Sequence, residues 1–308
     1  MAFAPLEPGV WQILPTPFRG RELEVDHDSL RRVIEHARRS GVSGVVALGV
    51  LGEASRLSSA ERSAVLDTAI AAAGELPVVA GVPALATAPA AEDAQLAAAA
   101  GARAVMLLVP TGDAARLADH ATAVSDASGL GVVFQDHPAT TGVSIAPPAL
   151  ARAIDECGVG VAVKAEAPPT PATVAVAAPA TGLPVFGGLG GVGLLDELAA
   201  GAAGAMTGFA FPEALVETVA AFAASGFAAA KVALEPFLPV MVFEAQVPVS
   251  LAIRKELLRR RGLIAEAGVR SPGASFPDWA APLLDAHLDA LAERLNRAQA
   301  KAGSEVSV

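Results

Sequence analysis

The sequence alternates eight times between a short apolar run and a longer, alanine-rich amphipathic stretch, and few architectures accommodate that rhythm. The short runs are Trp11–Pro15, Gly44–Gly49, Pro77–Gly81, Ala104–Val109, Gly131–Asp136, Gly160–Lys164, Pro184–Gly188 and Ala203–Gly208. They are apolar almost throughout, as strands of a parallel sheet covered on both faces must be. Between them, Asp28–Arg39, Ser59–Ala73, Ala90–Gly101, Ala114–Ser128, Pro147–Glu156, Pro171–Ala180, Gly193–Ala200 and Pro212–Ala223 read as helices. Ser58–Ser59 ahead of Glu61, and Pro147–Pro148 ahead of Ala149, carry helix-start chemistry in the right phase. Eight strand–helix units predict an α/β fold of the closed (β/α)8, or TIM-barrel, type in place of an open sheet. The units repeat in architecture, with no repeat of sequence.

From about Ser225 the strand signal stops. Phe227–Val240, Val249–Gly262 and Asp278–Ala302 are helical in pattern, with Gly273–Pro277 as a break, so residues 225–308 are expected to form a small appendix of three helices on a barrel of residues 1–224. The final GSEVSV is expected to fray.

Charge and cysteine content narrow the function classes. A net charge of −10, without a basic stripe interleaved with aromatics, argues against a nucleic-acid partner. Cys157 is the single cysteine, so no intrachain disulfide is possible, and its setting in IDECGVG reads as buried and inert. The N-terminal MAFAPLEPGVWQ lacks the regions of a signal peptide, and the longest apolar stretch, Thr218–Ala230, is too short to span a bilayer. The expectation is a cytoplasmic protein with no membrane partner.

Lysine is scarce: only Lys164, Lys231, Lys255 and Lys301 occur, against 18 arginines. Lys164 nevertheless closes the apolar GVGVAV of the sixth strand, at the end where barrels of this type build their active sites. Two readings are open. Lys164 is a rim lysine whose stem snorkels along the strand, or a desolvated amine able to form a Schiff base. Glu166, two residues on, shares the same side of the strand and could hold the ammonium or shuttle a proton; its alternative is a structural ion pair or an anchor ahead of Pro168–Pro169. The other histidines, His27, His36, His120 and His287, are scattered, and no cluster has metal-ligand spacing. Gly187, Gly188, Gly190, Gly191 and Gly193 do not fit a dinucleotide fingerprint, which belongs after a first strand.

Several motifs occur in a telling order: ILPTPF at Ile13–Phe18, VDHDSL at Val25–Leu30, GVLGEASRLSSAER at Gly49–Arg62, VVAGV at Val78–Val82 and HPATTG at His137–Gly142. GVAVKAE at Gly160–Glu166, GAAGAMTG at Gly201–Gly208 and the Arg-x-Pro at Arg270–Pro272 follow. In these the chain resembles the family of class I, Schiff-base-forming aldolases and lyases that includes dihydrodipicolinate synthase and N-acetylneuraminate lyase. The resemblance covers nearly the whole chain. It implies Lys164 as the Schiff-base residue, a 2-oxo acid such as pyruvate as substrate, no cofactor and no metal, and a homodimer or homotetramer.

The departures from that family fall on the reacting face. Two hydroxyl residues that hold the substrate carboxylate in the family's Gly-x-x-Gly-Glu loop are here Val50 and Leu51. The proton-relay tyrosine at the end of strand five is Gln135, in a chain with no tyrosine at all. The synthase's second tyrosine matches Thr111, and its aldehyde-binding arginine matches Thr140. The resemblance further places Gly188 against the substrate through its carbonyl, Met206 against it through an apolar side chain, and Glu53 as a brace of the loop. Gln135 and His137 alternate onto one side if strand five stays regular, which makes His137, with Glu166, a candidate replacement base. Asp136 is expected to point outward in an Asx-type loop role.

Three functions are consistent with these residues: a Schiff-base lyase with an altered substrate, a non-catalytic small-ligand-binding homologue, and dihydrodipicolinate synthase proper.

Overall fold

The structure, a computed structural model, describes residues 3–305. Eight parallel strands close on themselves: β1 (Gly9–Ile13), β2 (Gly44–Ala47), β3 (Val78–Val82), β4 (Ala104–Leu108), β5 (Gly131–Asp136), β6 (Gly160–Ala165), β7 (Val185–Gly187) and β8 (Gly204–Thr207). Each pairs with its sequence neighbours, and β1 pairs with both β2 and β8, which completes the expected barrel. Closure needs a close approach at the base. A Cβ on Gly204 would lie 1.8 Å from the Gly9 carbonyl oxygen, so only glycine lets β8 meet β1 there.

The strands are apolar on both faces because both are buried. Trp11, Ile13, Val46, Val79, Met106, Val133 and Phe186 fill the barrel interior, while Val45, Ala47, Val105, Phe134, Val163 and Ala205 face the helical layer. The alanine-rich helices are explained by that outer face. Ala69, Ala90, Ala94, Ala121, Ala153 and Ala177 are buried against the strands, and their single methyl groups permit close helix–sheet packing.

Two helices, Ser59–Ala73 and Ala114–Ser128, occupy the expected spans. The first carries a complete capping box, with Ser58 Oγ accepting from the Glu61 N–H and Glu61 Oε2 accepting from the Ser58 N–H. Elsewhere the structure corrects the reading. Strand β1 begins at Gly9 and ends at Ile13, two residues ahead of the expected run, because Pro15 and Pro17 cannot donate to a ladder. A short antiparallel ladder of Phe18–Arg19 with Glu24–Val25 was not foreseen. The expected helix Phe227–Val240 is two helices, Phe227–Leu234 and Leu238–Glu244. Pro239 causes the break, since it offers no N–H to the Glu235 carbonyl and its ring crowds that group. The appendix therefore has four helices, completed by Ser250–Arg260 and Ala280–Glu305. It packs on the barrel through a cluster of Phe209, Phe211 and Phe237 with ring centroids 5.5–6.4 Å apart. Among the described residues, no helix is long and apolar enough to cross a membrane.

Candidate active site

Lys164 lies near the C-terminal end of β6, beside Gln135 of β5 in the parallel ladder. Its side chain is inside the barrel and 4% exposed, so the snorkelling reading fails: the amine is not at a solvated rim. Lys164 Nζ lies 3.0 Å from Glu166 Oε2, and Gln135 Nε2 donates to the same oxygen at 2.7 Å. The other carboxylate oxygen, Oε1, accepts from the Leu189 N–H at 3.3 Å. Gly188 allows this packing, because a Cβ there would fall 2.3 Å from Glu166 Cγ. Amine, carboxylate and amide thus form one buried group across the tops of β5, β6 and β7.

The electrostatics divide the neighbouring acids into two kinds. Burial raises the Glu166 carboxyl, but the Lys164 and His137 charges and the Gln135 hydrogen bond outweigh it and hold it below its ordinary value. Asp136 and Glu197 lack such support. Burial, reinforced by the Glu166 charge, pushes Asp136 up to about 6, and neither of its carboxylate oxygens has a partner among the described residues. The expected Asx-type loop role is therefore absent, although Asp136 does face away from the barrel interior, as its ladder partner Ala165 does. Glu197 is pushed up to about 7 by burial, with Thr170 Oγ1 donating to Oε1 at 2.5 Å and Oε2 left without a partner.

An open cavity adjoins this group on the β2–β5 side of the mouth. Its lining includes Leu48, Val50, Val82, Met106 and Leu108, with Ser55, Gln135 and Thr140 as its polar side chains and no charged group. The Gly49–Glu53 loop that forms one wall is a tight helical turn, with Glu53 held at a left-handed φ of 55°. Its brace comes from the appendix. Lys255, fully buried, donates to Glu53 Oε1 at 2.5 Å, while Arg56 and the Arg270 N–H each reach Glu53 Oε2 at 2.9 Å. Burial lowers the Lys255 amine to about 8, against the opposing pull of Glu53. Lys255 Nζ and the Arg270 guanidinium both lie over the Phe18 ring, at 4.2 and 4.5 Å from its centroid.

With this geometry in place, comparison with known proteins is informative. The dihydrodipicolinate synthetase family model matches residues 7–291. The chain belongs to this family. The 4-hydroxy-tetrahydrodipicolinate synthase of Methanothrix thermoacetophila is 35% identical over 147 residues, 47% of this chain and 49% of that protein. That of Xanthomonas axonopodis pv. citri is 36% identical over 150 residues, so the chain spans about half the length of the curated relatives it matches. The crystal structure of dihydrodipicolinate synthase from Rhodopseudomonas palustris covers 94% of this chain and 99% of its own, with a TM-score of 0.87 and 30% identity. YagE, a prophage protein of E. coli in the dihydrodipicolinic acid synthase family, was solved in complex with pyruvate and shares the fold at 22% identity and a TM-score of 0.84.

As a member of the dihydrodipicolinate synthetase family, the chain can be read position by position. Val50 is half exposed and lines the cavity, as does Thr140. Leu51 turns toward Gly208, where a Cβ would lie 2.0 Å from its Cδ2. Gly188 is at the site, but its carbonyl already accepts from the Gly191 N–H at 2.9 Å. Met206 is not at the mouth: it is fully buried in the inner core, laddered to Trp11, and Thr207 lies above it. His137 does not join the Lys164 group by a hydrogen bond. The strand ends at Asp136, His137 caps the short helix Pro138–Thr141, and its Nδ1 is buried without a partner. Burial lowers its pKa, and the Glu166 charge opposes that shift.

Glu197, Thr207 and Arg254 escaped the reading of the sequence. Thr207 Oγ1 accepts from the Gly190 N–H at 2.9 Å and fixes the β7 loop. Arg254 reaches the mouth from the helix Ser250–Arg260, a placement that no local pattern announces. Among the described residues, no group of three His, Cys, Asp or Glu side chains is placed to hold a metal ion.

Proposed function

We propose that the protein is a lyase that forms a Schiff base between Lys164 and a 2-oxo acid such as pyruvate, for reversible C–C cleavage or for dehydration. The observation that carries this reading is the buried Lys164–Glu166 pair at the barrel mouth, 3.0 Å apart, with an open cavity beside it. An amine attacks a carbonyl only when unprotonated, and a proton passed to Glu166 along that contact frees it. The amine then adds to C2 of the 2-oxo acid. Glu166 returns the proton to the departing hydroxyl, and water leaves. The resulting iminium accepts electrons when C3 loses a proton or when the C3–C4 bond breaks. The enamine is reprotonated, or it expels a C4 hydroxyl as water. Hydrolysis of the imine restores Lys164.

Gln135 stands where the family's relay tyrosine is implied, and it can orient Glu166 but not titrate. Proton transfer therefore falls to Glu166, with His137 nearby as a second titratable group. The uncharged lining at Val50 and Thr140 is unlike a site built for a second carboxylate, which favours a substrate other than that of dihydrodipicolinate synthase proper. A cytoplasmic homodimer or homotetramer completes the reading, and light scattering measures the assembly.

Reduction with borohydride in the presence of pyruvate and other 2-oxo acids, followed by mass spectrometry, tests the proposal. An adduct on Lys164, absent from Lys164→Ala, is expected. No adduct with any 2-oxo acid at high concentration would leave the non-catalytic ligand-binding homologue as the better reading. Rapid condensation of pyruvate with aspartate semialdehyde would return the protein to the synthase.

A further inference from the structure

The Schiff-base reading leaves the substrate carboxylate without a side-chain partner in the Gly49–Glu53 loop, since Val50 and Leu51 bring no hydroxyl to it. Most basic groups near the barrel mouth are already paired. Lys255 is fully buried and held by Glu53 and the Gly268 carbonyl. Arg56 binds Glu53, Arg270 binds Glu61 and the Leu23 and Arg56 carbonyls, and Arg261 binds Glu213 and the Ala210 carbonyl while stacking on Phe211. Each is committed elsewhere.

Arg254 is different. It is 8% exposed, and its Nε donates to Glu244 Oε1 in a buried ion pair, with Glu244 Oε2 accepting from the Ala210 N–H at 3.2 Å. That pairing uses one edge of the guanidinium. Nη1 and Nη2 have no hydrogen-bond partner among the described residues, and neither is sealed from solvent. Both point at the barrel mouth. Nη1 lies 3.5 Å from where a Cβ on Gly208 would stand, and Nη2 lies 3.8 Å from the corresponding point on Gly190. The Gly208 point is also 2.0 Å from Leu51 Cδ2, so the free edge of the guanidinium lies near the residue that replaced a hydroxyl. Leu189, next to Gly190, donates to Glu166, which ties this side of the mouth to the Lys164 group.

We propose that Arg254 receives the carboxylate of the 2-oxo acid, presenting the Nη1 and Nη2 edge that Glu244 leaves free. The inference rests on the Schiff-base reading for the identity of the ligand. A guanidinium binds a carboxylate through a planar fork, and Gly190 adds no side chain on the Nη2 side, while Leu51 fills the space beside Gly208. Glu244 locks the other edge and limits the rotamer entropy lost on binding. With C2 at Lys164, the rest of the substrate lies in the apolar cavity of Val50, Val82 and Leu108, whose lining meets the Lys164 group at Gln135. The substrate class that follows is a 2-oxo acid with a single carboxylate and an uncharged, largely apolar distal part.

The test compares pyruvate with its neutral methyl ester in wild type and in the double variant Arg254→Gln, Glu244→Gln, which removes both charges and leaves no orphaned ion. Half-saturation of borohydride trapping on Lys164 is the first readout. Wild type is expected to prefer the acid, and the variant to lose about tenfold to hundredfold of that preference while its affinity for the ester stays put. A ratio within one protein does not depend on how much of it is folded. Thermal stabilisation by each compound is the second readout and needs no imine. An acid preference that persists unchanged in the variant, or none in wild type, overturns the role of Arg254. Loss of an acid-specific thermal shift in the variant, with no adduct in wild type, sustains Arg254 and overturns the Schiff base alone.

Discussion

Glu166 carries two duties through one carboxylate: counter-ion to Lys164 and carrier of the proton. Glu166→Gln keeps the shape and the Gln135 contact but removes the titration. Exchange of the pyruvate methyl protons in heavy water, followed by proton NMR, should slow by about 10²–10⁴, and borohydride trapping on Lys164 should slow with it. Asp136 yields a stability prediction of opposite character. Its carboxyl rises from 3.8 to about 6 on folding, so between those values the folded state binds more protons than the unfolded chain. Stability is therefore lost as pH rises through that window, by about 3 kcal/mol for a shift of about two units. Asp136→Asn should raise the melting temperature at pH 8, and the gain should vanish below pH 4. Lys164 and Glu166 were legible in the sequence because strand periodicity puts i and i+2 together. Arg254 was not, because its partners Glu244, Gly190 and Gly208 meet it only through tertiary packing.

Strands and helices were legible to different depths for physical reasons. Apolar runs of five or so residues between glycines and prolines identify parallel strands, but their ends depend on barrel register, which is a long-range property. The helix start at Ser58 was readable because a capping box is written in four adjacent residues, and Ser58→Ala should lower stability by about 1 kcal/mol in denaturant titration. The break at Pro239 was equally local, but the apolar pattern on both sides ran through it and concealed the turn. The brace between the helix Ser250–Arg260 and the Gly49–Glu53 loop joins residues 202 apart in sequence. Removing one member of a buried ion pair leaves the other uncompensated, so Lys255→Met should cost about 3–5 kcal/mol. Double-mutant analysis with Glu53→Gln checks whether the two losses are coupled.

At the scale of the whole molecule, the closed ladder order leaves the barrel sheet without an edge strand, and the appendix reaches the C-terminal ends of the strands through Lys255 and Arg254. A chain ending at residue 224 would expose Phe209 and Phe211 and strip Glu53 of Lys255 and Arg270. We expect such a truncation to be aggregation-prone and to bind no 2-oxo acid, as gel filtration and thermal-shift measurements would show. The alternation of strands and helices was enough to specify the barrel from sequence, because each unit is local. How the appendix docks was not, because its aromatic and charged contacts pair residues far apart in sequence. One consequence concerns the order in which the chain is made. Residues of the mouth loop leave the ribosome about 200 residues ahead of Lys255 and Arg270, which hold that loop, and of Arg254, which reaches the mouth. The nascent barrel must therefore wait, closed in outline but unarmed, until the appendix has been translated.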